Sequence, residues 1–165
     1  MITDKGGNVL CEIDEKGNIK AKYIYANGKH IAKIEGSNKY YYHLGPHGSP
    51  LVITTAEGPL ARIVKQYKYK SFGELRFYSG TYYDNHKFTG KEEDGTGLYY
   101  YGARYYDKSL GRFLSTDPVL KIGDDPQTLN PYVYCTNNPL RYIDPDGAVP
   151  VSSKEWNNVL STMQN

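Results

Sequence analysis

The stretch "GLYYYGARYYDKSLGRFLSTDP", residues 97–118, decides how the rest of the chain is read. It sets five tyrosines around one Gly-Ala-Arg run, follows them with a second arginine, and stops at an acid before proline. Tyrosine favours half-buried strands, because its ring packs on a pleated surface while its hydroxyl keeps a polar contact. Gly102, inside the run, marks a bulge or a close approach of two backbones. "GLYYYGARYYD" thus predicts a strand pair or one long twisted strand, and "KSLGRFLSTDPV" a short helical or turn element.

The same texture extends outward. The 165 residues include 18 Tyr against 4 Phe and 1 Trp, together with 17 Gly, which points to strands joined by tight turns in an all-β chain. The length suits one compact unit with a core. "DKGGNV" (residues 4–9) and "DEKGNI" (14–19) repeat Asp, Gly, Asn and a β-branched residue at an offset of ten, with a weaker third copy at 53–60. A strand, a Gly-centred turn and a return strand account for that step, so Gly7, Gly17 and Gly58 are expected in turns. In "KYIYANG" (22–28) and "QYKYKSFG" (66–73) alternate residues are tyrosine, the period-two sign of a strand with one aromatic face. "NKYYYHLGPHGSPLVIT" and "GELRFYSGTYYDNHKFTG" each read as strand, loop, strand. "DDPQTLNPYVYCTNNPLRYIDPDG" is dense in Asn, Asp and Pro and reads as ordered loop with one short strand at "PYVYC". Near the end, Ser152 and Glu155 form a capping-box pattern, and Trp156, Val159, Leu160 and Met163 follow at helical spacing. That predicts an amphipathic helix over about 154–163, which needs the sheet or another chain to dock on.

Several function classes drop out at this level. Net charge is +2 with the signs interspersed, so nucleic acid is not an expected partner. No apolar run is long enough to span a membrane, and the N-terminus lacks a signal-peptide pattern. The chain is expected to stay in the cell or to leave by a route that its sequence does not encode. Cys11 and Cys135 read as buried thiols or as one long-range disulfide. No zinc spacing occurs, and His30, His43, His47 and His86 read as structural or solvated, so no cofactor or metal is expected.

The C-terminal motifs are specific. Tyr-Gly-Ala-Arg-Tyr-Tyr-Asp, Gly-Arg-Phe-Leu-Ser-x-Asp-Pro, Asn-Asn-Pro and Asp-Pro-x-Gly occur in that order. In these motifs the chain resembles the RHS-repeat-associated core domain of bacterial Rhs and YD-repeat proteins, a family that includes the C-component of Tc toxin complexes. "HLGPHGSPLVIT", "YKYKSFGE" and "KFTGKEEDGTG" look like the stretch preceding that core, and the ten-residue turns like YD repeats. The resemblance covers residues 1–147 and implies two parts, a YD-repeat-like β-strip over 1–96 and the core domain over 97–147; the short tail helix read above makes a third part over 148–165. The implied fold is an antiparallel strip, an open fragment of a spiral shell, with an irregular C-terminal plug. In the family such shells enclose a toxic C-terminal polypeptide, and the core domain cuts its own chain just after Asp-Pro-x-Gly-Leu by chemistry like that of aspartic proteases.

Three family positions carry over: Arg104 in "GARYYD", Asp117 in "LSTDP" and Asp144 in "YIDPDG". The chemistry suits those residue types. Two carboxylates sharing one proton supply a base for water and an acid for the scissile carbonyl, and an arginine fixes their orientation. The plainer reading is that each Asp-Pro starts a turn or helix, with Asp as cap. Other acids are weaker candidates: Asp124 and Asp125 are adjacent in a loop, Asp146 supports the turn closed by Gly147, and Asp107 pairs with Arg104 or Arg112. Two departures stand out. Ala148 occupies the family's Leu position, which forfeits about 1–3 kcal/mol of burial. Only residues 148–165 follow the motif, and the repeats before it are few, so the chain reads as a remnant, a truncated frame or a detached tip module. The resemblance thus implies a shell fragment with aspartyl-type self-cleavage near Ala148. The other readings are an inactive remnant of a polymorphic toxin, or a non-enzymatic binding module that presents tyrosines to carbohydrate or pairs its edges with a longer YD-repeat protein.

Overall fold

The structure, a computed structural model, describes residues 2–3, 9–55, 61–119, 129–152 and 155. Eight strands form one open antiparallel sheet in sequence order: β1 (Ile2–Thr3), β2 (Val9–Ile13), β3 (Ile19–Ala26), β4 (Lys29–Glu35), β5 (Asn38–Leu44), β6 (Pro50–Thr55), β7 (Arg62–Tyr69) and β8 (Leu75–Ser79). Such a meander follows from short links, since each strand can only turn back on its predecessor. A second antiparallel sheet orders β12 (Arg112–Phe113), β11 (Tyr105–Asp107), β10 (Tyr99–Tyr100) and β9 (Glu92–Glu93). β13 (Tyr142–Ile143) pairs β14 (Val151–Ser152) to make the third. The expected antiparallel strip is therefore present, and it does not close into a barrel. Among the described residues no helix is long and apolar enough to cross a membrane.

One turn is used repeatedly. In residues 14–18, 45–49, 70–74, 87–91 and 94–98 the first N–H donates to the fifth carbonyl, and the fourth N–H donates to the first carbonyl. The fourth residue is always glycine (Gly17, Gly48, Gly73, Gly90, Gly97) at φ between 73° and 91°. This is the three-residue hairpin loop that ends in a left-handed position, where a Cβ is strained. Aspartate reinforces two copies: Asp14 Oδ1 accepts from the Lys16 and Asn18 N–H groups, and Asp94 Oδ1 from those of Thr96 and Leu98. Gly17 thus lies in a turn as expected, whereas Gly7 and Gly58 lie outside the described residues.

Two aromatic clusters form the core. Beneath the strip, Tyr42, Ile53 and Tyr67 are buried with Tyr40, Leu44, Val64, Tyr69, Leu75 and Tyr82 against them. Under the second sheet, Phe88, Tyr99, Tyr101, Tyr106, Phe113, Tyr134 and Cys135 form a knot, also flanked by Tyr69. Tyr69 belongs to both, so the clusters are continuous. The Tyr-x-Tyr strands behave as read: Tyr23 and Tyr67 are buried while their neighbours Ile24 and Lys68 are exposed. Both cysteines are thiols, Cys11 half-buried and Cys135 buried.

Two local expectations are corrected. "GELRFYSGTYYDNHKFTG" yields β8 but no second strand. Gly80, at φ 88°, turns the chain under the sheet, and its backbone lies against the Val64 carbonyl. "PYVYC" is not a strand either: Val133 makes a single bridge to Arg112. Cys135, Thr136 and Asn137 then hold φ between 48° and 58°, which no strand can follow. At the tail, the Ser152 N–H donates to Glu155 Oε2 and the Ser152 hydroxyl accepts from the Glu155 N–H, the reciprocal contact of a capping box. The expected helix face of Trp156, Val159, Leu160 and Met163 lies outside the described residues, as do Asp124 and Asp125.

The segment turned under by Gly80 fills the strip's inner face with polar groups. His30 packs against Tyr42 (ring centroids 4.1 Å apart) and lies 5.1 Å from the His86 ring. His86 in turn stands between Asp84, at 3.7 Å, and Glu92, at 3.3 Å. The His30 Nε2–H donates to the Ala32 carbonyl. Burial, with the neighbouring His86, pushes His30 down to about 4.

Two outcomes follow. Gly80→Ala places a Cβ 2.2 Å from the Val64 carbonyl oxygen at positive φ, whereas Gly17→Ala meets no neighbour within 4 Å at a similar φ. Urea titration should show Gly17→Ala costing about 1 kcal/mol of strain, and Gly80→Ala roughly 2–3 kcal/mol more from the clash. His30 binds its proton more weakly folded than unfolded, so its contribution is fully present above about pH 6.5 and lost as pH falls toward about 4. Over that window wild-type stability should drop by on the order of 3 kcal/mol more than that of His30→Phe, read from unfolding midpoints at stepped pH.

Candidate active site

The site begins at the loop between β10 and β11. Its close approach requires Gly102: the Ala103 N–H donates to the Asp146 carbonyl, and a Cβ at Gly102 would stand 3.2 Å from that oxygen. The next residue, Arg104, is 2% exposed and uses its whole guanidinium. Nε donates to the Gly147 carbonyl at 2.5 Å, and Nη1 to the Pro131 carbonyl at 3.1 Å. Nη2 meets Asp117 Oδ2 at 3.3 Å and Asp144 Oδ2 at 3.4 Å. The ring of Phe113 lies 3.6 Å below the guanidinium carbon, so the cation is desolvated on one face and bonded around its rim.

The three residues carried over from the family are thus together. Both carboxylates touch the same nitrogen, so the two oxygens stand at most 6.7 Å apart, the sum of those contacts. The plainer turn reading also has its share, and the two coexist by division of oxygens. Asp117 Oδ1 accepts from the Val119 N–H across Pro118. Asp144 Oδ1 accepts from the Gly147 and Ala148 N–H groups across Pro145. Each aspartate closes its own Asp-Pro turn with Oδ1 and offers Oδ2 to Arg104. Proline suits this use because it removes a competing donor and fixes the chain. The Asp117 N–H also bonds the Pro131 carbonyl that Arg104 holds.

Burial raises the Asp144 carboxyl above its ordinary value, against the opposing pull of Arg104 and of the Gly147 N–H. One guanidinium facing two buried carboxylates leaves one negative charge in excess. A poorly solvated site thus favours the protonated form of Asp144.

Two residues that sequence reading passed over complete the site. Lys91, half-buried after the 87–91 turn, donates from Nζ to the Pro145 carbonyl. Tyr101, 1% exposed, joins the Thr89 hydroxyl at 2.7 Å and the Tyr134 hydroxyl at 3.2 Å, beside the Lys91 ammonium. Lys91 sits in the charged run "GKEED", where nothing in the spacing distinguishes it from a solvated lysine. Asp107, considered as an arginine partner, instead closes a turn through the Ser109 and Leu110 N–H groups. Asp146 Oδ1 accepts from the Ala148 N–H, as a turn-supporting acid does. Among the described residues no cluster of His, Cys, Asp and Glu is arranged to hold a metal ion.

An antiparallel meander feeding an aromatic knot, with an arginine clamped between two Asp-Pro turns, makes a β-strip with a C-terminal plug. The chain is similar in sequence or fold to several known proteins. The tRNA nuclease WapA of Bacillus subtilis is 37% identical over 145 residues, 85% of this chain and 6% of that protein. Toxin subunit YenC2 of Yersinia entomophaga is 34% identical over 146 residues, 87% of this chain and 14% of that one. The crystal structure of TcdB2-TccC3 without its hypervariable C-terminal region superposes with a TM-score of 0.63 at 29% identity, covering 78% of this chain and 7% of the other. No protein-family model matches. The chain is an Rhs/YD-repeat domain of the toxin-related kind, and it spans only a small fraction of the length of the relatives it matches.

Arg104→Met should leave two buried carboxylates without their cation and destabilise the protein by roughly 3–5 kcal/mol at neutral pH. Loss of the cation raises the folded-state carboxyl pKa values, so the deficit should shrink as pH falls through the carboxylate range. Unfolding midpoints of both chains at pH 7 and pH 4 measure it. An equal deficit at the two values would mean that packing on Phe113, not charge, is what Arg104 supplies.

Proposed function

We propose that the chain is the end module of a YD-repeat shell and that Arg104, Asp117 and Asp144 cut the backbone near Ala148. The observation that carries this reading is the convergence of both Oδ2 atoms on Arg104 Nη2, while Asp144 Oδ1 grips the Gly147 and Ala148 N–H groups. The acids are thereby fixed beside the peptide they would cut, and holding reacting groups in place removes most of the entropic cost of a hydrolysis.

The chemistry needs one proton on the pair. Asp144, whose charge burial disfavours, holds it and donates toward the scissile carbonyl oxygen. Asp117 takes a proton from the attacking water. The hydroxide adds to the carbonyl carbon, giving a tetrahedral diol. Collapse of the diol breaks the C–N bond, and the nitrogen leaves with the proton from the acid pair. Arg104 stays charged throughout and keeps both carboxyls in place. Ala148, where relatives of the family carry a leucine, makes a smaller contact and slows the cut without altering its steps.

The strip itself serves as wall. Its outer face exposes Ile24, Tyr41 and Ile63, and β1 and β8 are open edges. A longer YD-repeat chain that continues the sheet at β1 is the partner of this reading.

Intact-mass spectrometry of the purified chain tests the cut. Wild type should lose its C-terminal peptide after a bond next to Ala148, with Ala148→Leu faster, while Asp117→Asn and Asp144→Asn stay whole. A wild-type chain still intact after prolonged incubation from pH 4 to pH 8 would refute self-cleavage and leave the wall function.

A further inference from the structure

We infer that Lys91 is a positioning residue of this site, whose ammonium sets the pH at which Asp144 takes up its proton. Its catalytic meaning rests on the self-cleavage reading above; its electrostatic role does not. The Lys91 Nζ reaches the Pro145 carbonyl, the bond partner immediately following Asp144. The ammonium lies 5.4 Å from the centre of the Tyr101 ring, which walls it from solvent. An amine this buried keeps its charge only where anions face it, and Asp144 and Asp146 do so.

The groups facing Asp144 come from four elements. Arg104 belongs to the β10–β11 loop, Asp117 to the segment after β12, Lys91 to the turn before β9, and Asp146 to Asp144's own turn; the Tyr101 phenol is close by. Without Lys91 the guanidinium alone faces Asp117, Asp144 and Asp146. Lys91 supplies a second cation, which offsets part of the excess negative charge that favours protonation of Asp144. Lys91 therefore moves proton uptake, and with it the proton-sharing state that cleavage requires, toward acid pH. The bond to Pro145 adds a geometric role, since it holds the Asp144–Gly147 turn against β9.

Carboxyl 13C NMR titration of Asp144 separates the two roles. In an Asp117→Asn background, which prevents cutting, Lys91→Gln keeps a donor for Pro145 but removes the charge. Its Asp144 midpoint should rise by about one pH unit, the low end for loss of a close opposite charge, and Lys91→Arg should restore it. Coupling is reciprocal, so in Asp144→Asn the Lys91 ammonium, followed by 15N NMR, should titrate lower by a similar amount; this measurement needs no change at Lys91. In the cleaving chain, Lys91→Gln should move the acid-side pH optimum up by the same interval. Unchanged midpoints for both Asp144 and Lys91 would overturn the inference, whether or not the chain cuts itself. Shifted midpoints in a chain that never cuts would uphold it and refute the cleavage reading alone.

Discussion

One guanidinium organises the C-terminal third of the molecule. Arg104 ties together four segments distant in sequence: its own loop, the Pro131 carbonyl, the turn after Asp117 and the turn from Asp144 to Gly147. Those segments hold few hydrogen bonds of a regular ladder, because the strands there are only two or three residues long. Strands so short cannot set one another's positions, and a fork with fixed donor directions does so instead. Lysine has no such fork, so the site depends on arginine for its shape as much as for its charge.

Tyrosine performs the matching task for the core. A strip one sheet thick has to bury one face without a second sheet to cover it, and its aromatic residues must pass from the strip into the knot without a break. Phenylalanine in place of Tyr106 would remove the donor that the Phe72 carbonyl meets. The Tyr106 hydroxyl donates to the Phe72 carbonyl, the Tyr23 hydroxyl to Glu12, and Tyr101 links Thr89 with Tyr134. Rings supply area and hydroxyls supply order. The five tyrosines of 97–118 divide accordingly: Tyr99, Tyr101 and Tyr106 are at most 1% exposed and build the knot, while Tyr100 and Tyr105 face outward across the same strand pair.

What the sequence disclosed was whatever a local rule controls. Alternating Tyr in 22–28 and 66–73 and the spacing of glycines announced strands and turns, because pleat and left-handed φ are properties of a few adjacent residues. The strand expected after β8 failed for a non-local reason: Gly80 packs on the Val64 carbonyl, a residue sixteen positions earlier, and nothing near Gly80 encodes that contact. The triad was legible through its motifs, since Asp-Pro and Gly-Ala-Arg mark the positions even though the contacts span 13 to 40 residues. Lys91 was not, because a lysine acquires its role only when the Pro145 turn is laid over it. The buried set of His30, Asp84 and His86 was invisible for the same reason: four scattered histidines carry no spacing that tells a core position from a solvated one.

The division of labour within each aspartate explains how turn chemistry and acid chemistry share two residues. The turn-closing aspartates of this chain use a single oxygen on the backbone: Oδ1 of Asp14, Asp94 and Asp107, and likewise Oδ1 of Asp117 on Val119 and of Asp144 on Gly147 and Ala148. In Asp117 and Asp144 the second oxygen faces inward and meets Arg104. Asp144 lies deeper than Asp117, and burial raises its carboxyl. An asymmetric pair results from two nearly identical motifs. The asymmetry is what acid–base chemistry requires, since two carboxyls of equal depth would compete for one proton without assigning it. The depth of the second turn, fixed by Arg104 on Gly147 and by Lys91 on Pro145, is what sets Asp144 apart from Asp117.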